Sequence, residues 1–305
     1  MKTKIYSPDI ECDSCTKILK NAFEKMQGIQ KYEVAKNHIE VEYDESLIQP
    51  QNIIEVIKEK GYKASFDIYT KKSIKERAKE FVLNKEKYKI EYLMLKNIAM
   101  TFIGLLILDA LLIYFKSVSD PLFFGKYVWW LFYLTISVVA IMGAIWHFKA
   151  YKTQYTCMVG MMVGMTIGMQ TGLMIGAVIG ATNGFFIGAV VAMILGCIVG
   201  AYCGSSCGIM GIMEGLMAGL MGGTMGPMIT VMMFNEKIFW FMPIYMAINI
   251  IILIGLIYMI FEEVVEDREV AAKPMSLNAF FYICLAALAA LSAIMIYAKP
   301  SIFLM

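Results

Sequence analysis

The stretch "MVGMMVGMTIGMQTGLMIG", Met158 to Gly176, decides the fold. Its only amide or hydroxyl side chains are Thr166, Gln170 and Thr171, and it carries no charge. A glycine falls at every fourth residue from Gly160 to Gly188; Ala192 fills one gap, and the period resumes at Gly196, Gly200, Gly204 and Gly208. Small residues at this spacing let helix backbones approach closely where lipid replaces water. Four residues advance about 400° at 3.6 per turn, so the ladder winds slowly round its helix. Two helices, or two copies of the chain forming a homo-oligomer, are expected to cross on it.

Outward from this stretch the charge is uneven. Glu214 is the only formal charge from Thr156 to Asn235, whereas Met1 to Lys96 is dense in Lys and Glu. With 59% hydrophobic and 17% charged residues over 305 positions, the chain divides into a soluble head and a membrane body. Apolar runs near 97–115, 127–147, 157–180, 184–203, 208–233, 238–261 and 278–298 predict an all-α polytopic transmembrane bundle of about seven helices. The net charge of +2 comes without a basic stripe interleaved with aromatics, which argues against nucleic acid as a partner.

The amino terminus, "MKTKIYSPDIECDSC", lacks the apolar core of a secretory signal. The head is therefore expected in the cytoplasm, with the body multi-pass in the cell membrane. Lys149 and Lys152 in "HFKAYKTQYT" agree, because cytoplasmic loops are enriched in Lys and Arg. This topology puts Cys203-Gly-Ser-Ser-Cys207 at the cytoplasmic mouth, on the head's side of the membrane.

Three segments are expected: a domain at 1–69, an amphipathic linker helix at 70–96 and the transmembrane domain at 97–305. The linker is either a helix lying on an anionic leaflet or a solvated spacer. In the head, "KTKIYS", "QKYEVAK", "HIEVEYD" and "YKASFDIY" read as strands, and "SCTKILKNAFEKM" and "PQNIIEVIKEK" as helices. The order β-α-β-β-α-β is the α+β ferredoxin-like arrangement. His38 is expected in the hairpin turn, solvated.

Cys12-Asp13-Ser14-Cys15 between the first strand and helix, "VEYD" at Val41 to Asp44, and Gly61-Tyr62 after the second helix resemble a heavy-metal-associated domain of the copper-chaperone and metal-pump type. The resemblance covers roughly the first 68 residues. It implies that Cys12 and Cys15 bind one metal ion on an exposed loop and that Tyr62 packs beside it. The residues support this independently: Cys15 falls in the first helical turn, where the helix dipole favours thiolate, and paired thiolates suit Cu(I) and accept Zn(II). Asp9 and Ile10 stand where the family has Gly and Met, which alters the hydrophobic tether under the loop. Glu11 resembles the zinc and cadmium variants, since a carboxylate supplies a harder third ligand, whereas Tyr62 resembles the copper chaperones. Cu(I) is the expected ion, with Zn(II) and Cd(II) as alternatives.

In the fifth apolar run Met210, Met213, Met217, Met221, Met225, Met228 and Met232 keep spacings of three and four and form one stripe. Met158, Met162, Met165 and Met169 repeat it in the third run, with Met161, Met165 and Met169 also spaced as in copper uptake channels. Thioether is a neutral soft ligand that can pass Cu(I) between weak sites; methionine also packs well on glycine surfaces, so a metal path and plain packing both fit. Asp109 and Glu214 are intramembrane acids suited to proton or cation coupling, or to a helix–helix hydrogen bond.

No Asp-Lys-Thr-Gly, intramembrane Cys-Pro-Cys or phosphate-binding glycine loop is present, so an ATP-driven pump is excluded and no enzyme is expected. The leading expectation is a heavy-metal permease served by a cytosolic metallochaperone or metal pump. A membrane-tethered sensor or buffer and a thiol oxidoreductase using Cys12/Cys15 and Cys203/Cys207 stand as alternatives.

Overall fold

A computed structural model describes residues 2–7, 10, 13–24, 26, 28–35, 37–44, 47–59, 62–66, 89–119, 122–151, 157–233, 237–262 and 275–298. The chain divides into two compact units, with the main division between Lys85 and Glu86.

The head contains β1 (Lys2–Tyr6), α1 (Asp13–Phe23), β2 (Ile29–Ala35), β3 (His38–Tyr43) and α2 (Pro50–Glu59). The strands form an antiparallel sheet in the order β1-β3-β2. Alternation along β3 buries Ile39, Val41 and Tyr43 under the two helices, whose inward residues are Leu19, Phe23, Ile53 and Ile57. The expected fourth strand is represented by one bridge on the outer edge of β1, where Tyr6 and Ser65 exchange backbone hydrogen bonds of 2.8 and 3.0 Å. That position completes the ferredoxin-like order, and residues 67–69 lie outside the described residues. Asn37 makes the hairpin turn with φ 66°, a conformation asparagine tolerates. His38, expected in that turn, instead opens β3 opposite Tyr6, 4.0 Å from the Glu40 carboxylate.

The second unit is helical: α3 (Lys89–Ser119), α4 (Leu122–Ala150), α5 (Cys157–Asn183), α6 (Phe185–Gly204), α7 (Gly208–Met232), α8 (Ile238–Ile260) and α9 (Leu277–Tyr297). Six apolar helical stretches are long enough to cross a membrane. The fourth of them, Phe185–Met232, is broken by a 3-10 turn at Ser205–Cys207 and by Gly208 at φ 72°, so it folds back as the pair α6 and α7. Seven apolar helices result among the described residues, those of a multi-pass membrane protein. Residues 89–96 of the expected linker belong to α3, continuous with the first apolar run, and 70–88 lie outside the described residues.

The glycine ladder joins α5, α6 and α7. Gly204, Gly200 and Gly196 of α6 meet Gly211, Gly215 and Gly219 of α7 with backbones touching, which makes the two helices antiparallel. On α5, a Cβ at Gly164 would lie 2.7 Å from the Gly204 Cα, and one at Gly168 would lie 2.8 Å from the Gly200 Cα. One turn further, Gly172 no longer faces α6 but Gly222 and Gly223 of α7. Each four-residue step carries the ladder about 40° past a full turn, and α5 stays wedged between both neighbours: Gly168 also meets the Gly215 carbonyl of α7, Gly176 meets Pro227 of α7 and Ala192 of α6, and Gly180 meets Gly188 of α6. Pro227 of α7 fills the notch left by Gly176, Gly180 and Gly188. The seam offered by the sequence to a second copy is thus closed within one chain.

Polar side chains fasten the rest. The Thr135 hydroxyl of α4 lies 2.5 Å from the Asp109 carboxylate of α3. Asn183, beside Gly184 in the α5–α6 turn, donates to the Met295 carbonyl at 3.1 Å and to the Ala298 carbonyl, satisfying the carboxyl end of α9.

Gly164→Ala and Gly168→Ala should each destabilise the full chain in detergent by about 1–3 kcal/mol, because backbone cannot yield as a side chain does. Gly255, with nothing within 4 Å of its would-be Cβ, is the control. Gly255→Ala should stabilise by about 0.5–1 kcal/mol in the same unfolding measurement.

Candidate metal centre

The candidate ligands of the head lie where β1 gives way to α1. Cys12 and Glu11 are outside the described residues, while the backbone of Cys15 is the third residue of α1. It therefore sits in the first turn, where unsatisfied N–H groups and the dipole stabilise a thiolate. Two buried side chains hold this corner. Ile10 and Tyr62 are each 2% exposed and belong to the same apolar cluster as Leu19, Phe23 and Ile57. Ile10, expected to alter the tether, is itself a buried member of the head's core, and the loop residues 8, 9, 11 and 12 lie outside the described residues. Tyr62 is fixed by its own backbone N–H, which donates to the Ile57 carbonyl at the end of α2, 3.2 Å away.

In the helical unit Cys203 is fully buried in α6, and Cys207 lies in the 3-10 turn with its Cβ against Gly160 and Gly211. They are not joined by a disulfide. Among the described residues, no three His, Cys, Asp or Glu side chains are grouped so that they could hold a metal ion. A soft site here would need thioethers.

Those thioethers point outward. Met210, Met213, Met217, Met221 and Met225 are between 44% and 59% exposed, while the glycines between them are buried in the seam. Met161, Met165 and Met169 of α5 are partly exposed. Other outward faces are built differently: α3 exposes Ile103, Ile107 and Leu111, and α8 exposes Ile244, Ile248 and Ile251. The methionine stripe is therefore a property of α5 and α7 and not of lipid-facing positions in general. Asp109, 7% exposed, is engaged by Thr135 across two helices; Glu214 is partly exposed on α7.

One polar group was not legible as a site in the sequence. His147 near the end of α4 is fully buried, its ring meets Tyr151 edge-on at 5.2 Å, and the Tyr151 hydroxyl donates to Glu91 of α3. The residues span 60 positions, and only the packing of α3 on α4 unites them.

Residues 4–63 match the heavy-metal-associated domain. The copper chaperone CopZ of Staphylococcus epidermidis, from each of two strains, is 34% identical over 55 residues, which cover 17% of this chain and 81% of the chaperone. No solved structure matches the chain.

Because Ile10 is buried in the head's core, Ile10→Ala should cost the head about 2–5 kcal/mol and Ile10→Met less than about 1.5 kcal/mol. Hydrogen exchange of head peptides in the intact protein measures both.

Proposed function

The chain belongs, through its N-terminal domain, to the heavy-metal-associated family, and on that premise we propose that it is a membrane transporter of a soft heavy-metal ion, Cu(I) foremost. In this reading the head lies in the cytoplasm and holds the ion as a substrate between the Cys12 and Cys15 thiolates. The first-turn position of Cys15 supports this chemistry, as does the likeness to a protein named a copper chaperone. Zn(II) and Cd(II) are the alternative cargo, through a third ligand at Glu11.

The observation that carries transport is the concentration of exposed thioethers on α7, from Met210 to Met232, alongside those of α5. A row of neutral, weak soft ligands can accept Cu(I) from a thiolate pair and release it again, without burying a compensating anion. Zn(II) gains little from thioether, so the row favours Cu(I). The membrane potential favours inward movement of a cation by about 2.3 kcal/mol per 100 mV.

A specific observation favours a second reading, a membrane-tethered buffer or sensor. The glycine seam is closed backbone to backbone, so an ion path would run along the outer methionine face and not between α5, α6 and α7. Thiol exchange between the two cysteine pairs is disfavoured by the complete burial of Cys203.

Full-length protein in vesicles distinguishes these readings. Uptake of Cu(I) or Ag(I) that falls several-fold in the Met217→Leu/Met221→Leu double variant is expected; no flux at all, with metal still bound, would establish the buffer. Cys12→Ser or Cys15→Ser should weaken Cu(I) binding by more than about tenfold. Glu11→Gln should leave Cu(I) binding unchanged, and tighter Zn(II) binding lost in Glu11→Gln would overturn copper.

A further inference from the structure

Among the described residues, six buried side-chain polar atoms have no hydrogen-bond partner, and four of them lie on α3 and α4: Thr101 Oγ1, Trp146 Nε1, His147 Nδ1 and His147 Nε2. Buried polar groups are nearly always paired, so such a concentration calls for an explanation at one place in the fold. His147 is the informative member because both ring nitrogens are unpaired and its residue is 0% exposed. An imidazole without partners is at home there only in its neutral form. Its neighbours nevertheless provide what the charged form needs. Tyr151, one turn on, touches the His147 ring and donates its hydroxyl proton to the buried carboxylate of Glu91.

We propose that His147 is a proton-binding site whose counter-charge is Glu91, with Tyr151 as the group displaced between them. A proton taken from water at this end of the helices binds an imidazole nitrogen. Glu91 then accepts a hydrogen bond from the imidazolium N–H in place of the Tyr151 O–H, and Tyr151 keeps its proton. No electrons move and no bond other than N–H forms. The exchange changes how α3 is latched to α4, the helix pair that also carries the Asp109–Thr135 contact. This deepens the transport reading, on which its purpose rests, by assigning a proton-coupling site that neither Asp109 nor Glu214 supplies.

Among the described residues, the other groups near this end do not compete. Lys149 is exposed and lies 3.7 Å over the Tyr202 ring of α6, and Lys96 of α3 is exposed. On α9, the Phe280 ring lies tilted against Trp146, centroids 5.3 Å apart, and Cys284 is a buried thiol. Tyr92 of α3 and Glu262 beyond α8 are partly exposed, and neither α5 nor α6 carries a charged residue. Glu91 is the one buried carboxylate at this end among the described residues.

The chain contains only two histidines, His38 and His147, so the test is direct. Full-length His38→Gln protein, labelled with nitrogen-15 histidine in micelles and free of metal, gives one imidazole to follow by NMR. A neutral ring at pH 7.5 that converts to imidazolium as the pH falls towards 5 is expected. At the midpoint, Glu91→Gln should lower the imidazolium-to-neutral ratio by about tenfold, the effect of losing one nearby opposite charge. Tyr151→Phe, which frees Glu91 to pair, should raise it; this smaller change carries the test if Glu91→Gln does not fold. A ratio unchanged by Tyr151→Phe, or a ring that stays neutral throughout, overturns the proposal. The measurement involves no metal flux, so an inactive transporter with the expected titration would sink transport and leave this site standing.

Discussion

Backbone contact between α5, α6 and α7 is the constraint on which the membrane unit depends. In lipid there is no water to expel from between helices, so association rests on van der Waals contact and on the few hydrogen bonds that cross. Gly196, Gly200 and Gly204 meeting Gly219, Gly215 and Gly211 bring the chains as close as backbones allow. A side chain at almost any of these positions would occupy space already filled by a carbonyl or a Cα. The tight fit explains why Pro227 is tolerated within α7: its ring occupies the notch made by Gly176, Gly180 and Gly188.

The closed seam has a chemical consequence. With the glycine faces occupied by each other, the methionines of α7 appear together on its outer face. Packing and ligand chemistry are therefore not competing explanations of one pattern. Glycine builds the interior, and methionine occupies what the interior leaves over. Polar side chains are sparing by comparison, and two of them fasten helices. Thr135 meets the buried acid Asp109, and Asn183 satisfies carbonyls at the end of α9 that the helix leaves without a partner.

In the head the same division appears on a smaller scale. Cys15 owes its position to the start of α1, and Ile10 before it and Tyr62 after α2 are both buried in the core beneath the sheet and helices. Exchanging methionine for isoleucine at the tether changes the anchor's shape without exposing it, because both are apolar and of similar volume.

Much was legible in the residue order alone. The periodicities of two and three to four marked the head's strands and helices, its motifs marked the heavy-metal-associated domain, and the lengths of the apolar runs marked seven helices. Periodicity, however, assigns residues to a face of their own helix and says nothing of which neighbour that face meets. Only the tertiary structure decided that the ladder of α5 meets both α6 and α7, that it closes within one chain, and that Met210 to Met232 point outward. The reason is rotational: a 40° drift per step is invisible until a second helix is placed beside it. His147, Tyr151 and Glu91 were hidden for the same reason, since two helices must pack before residues 60 positions apart become neighbours.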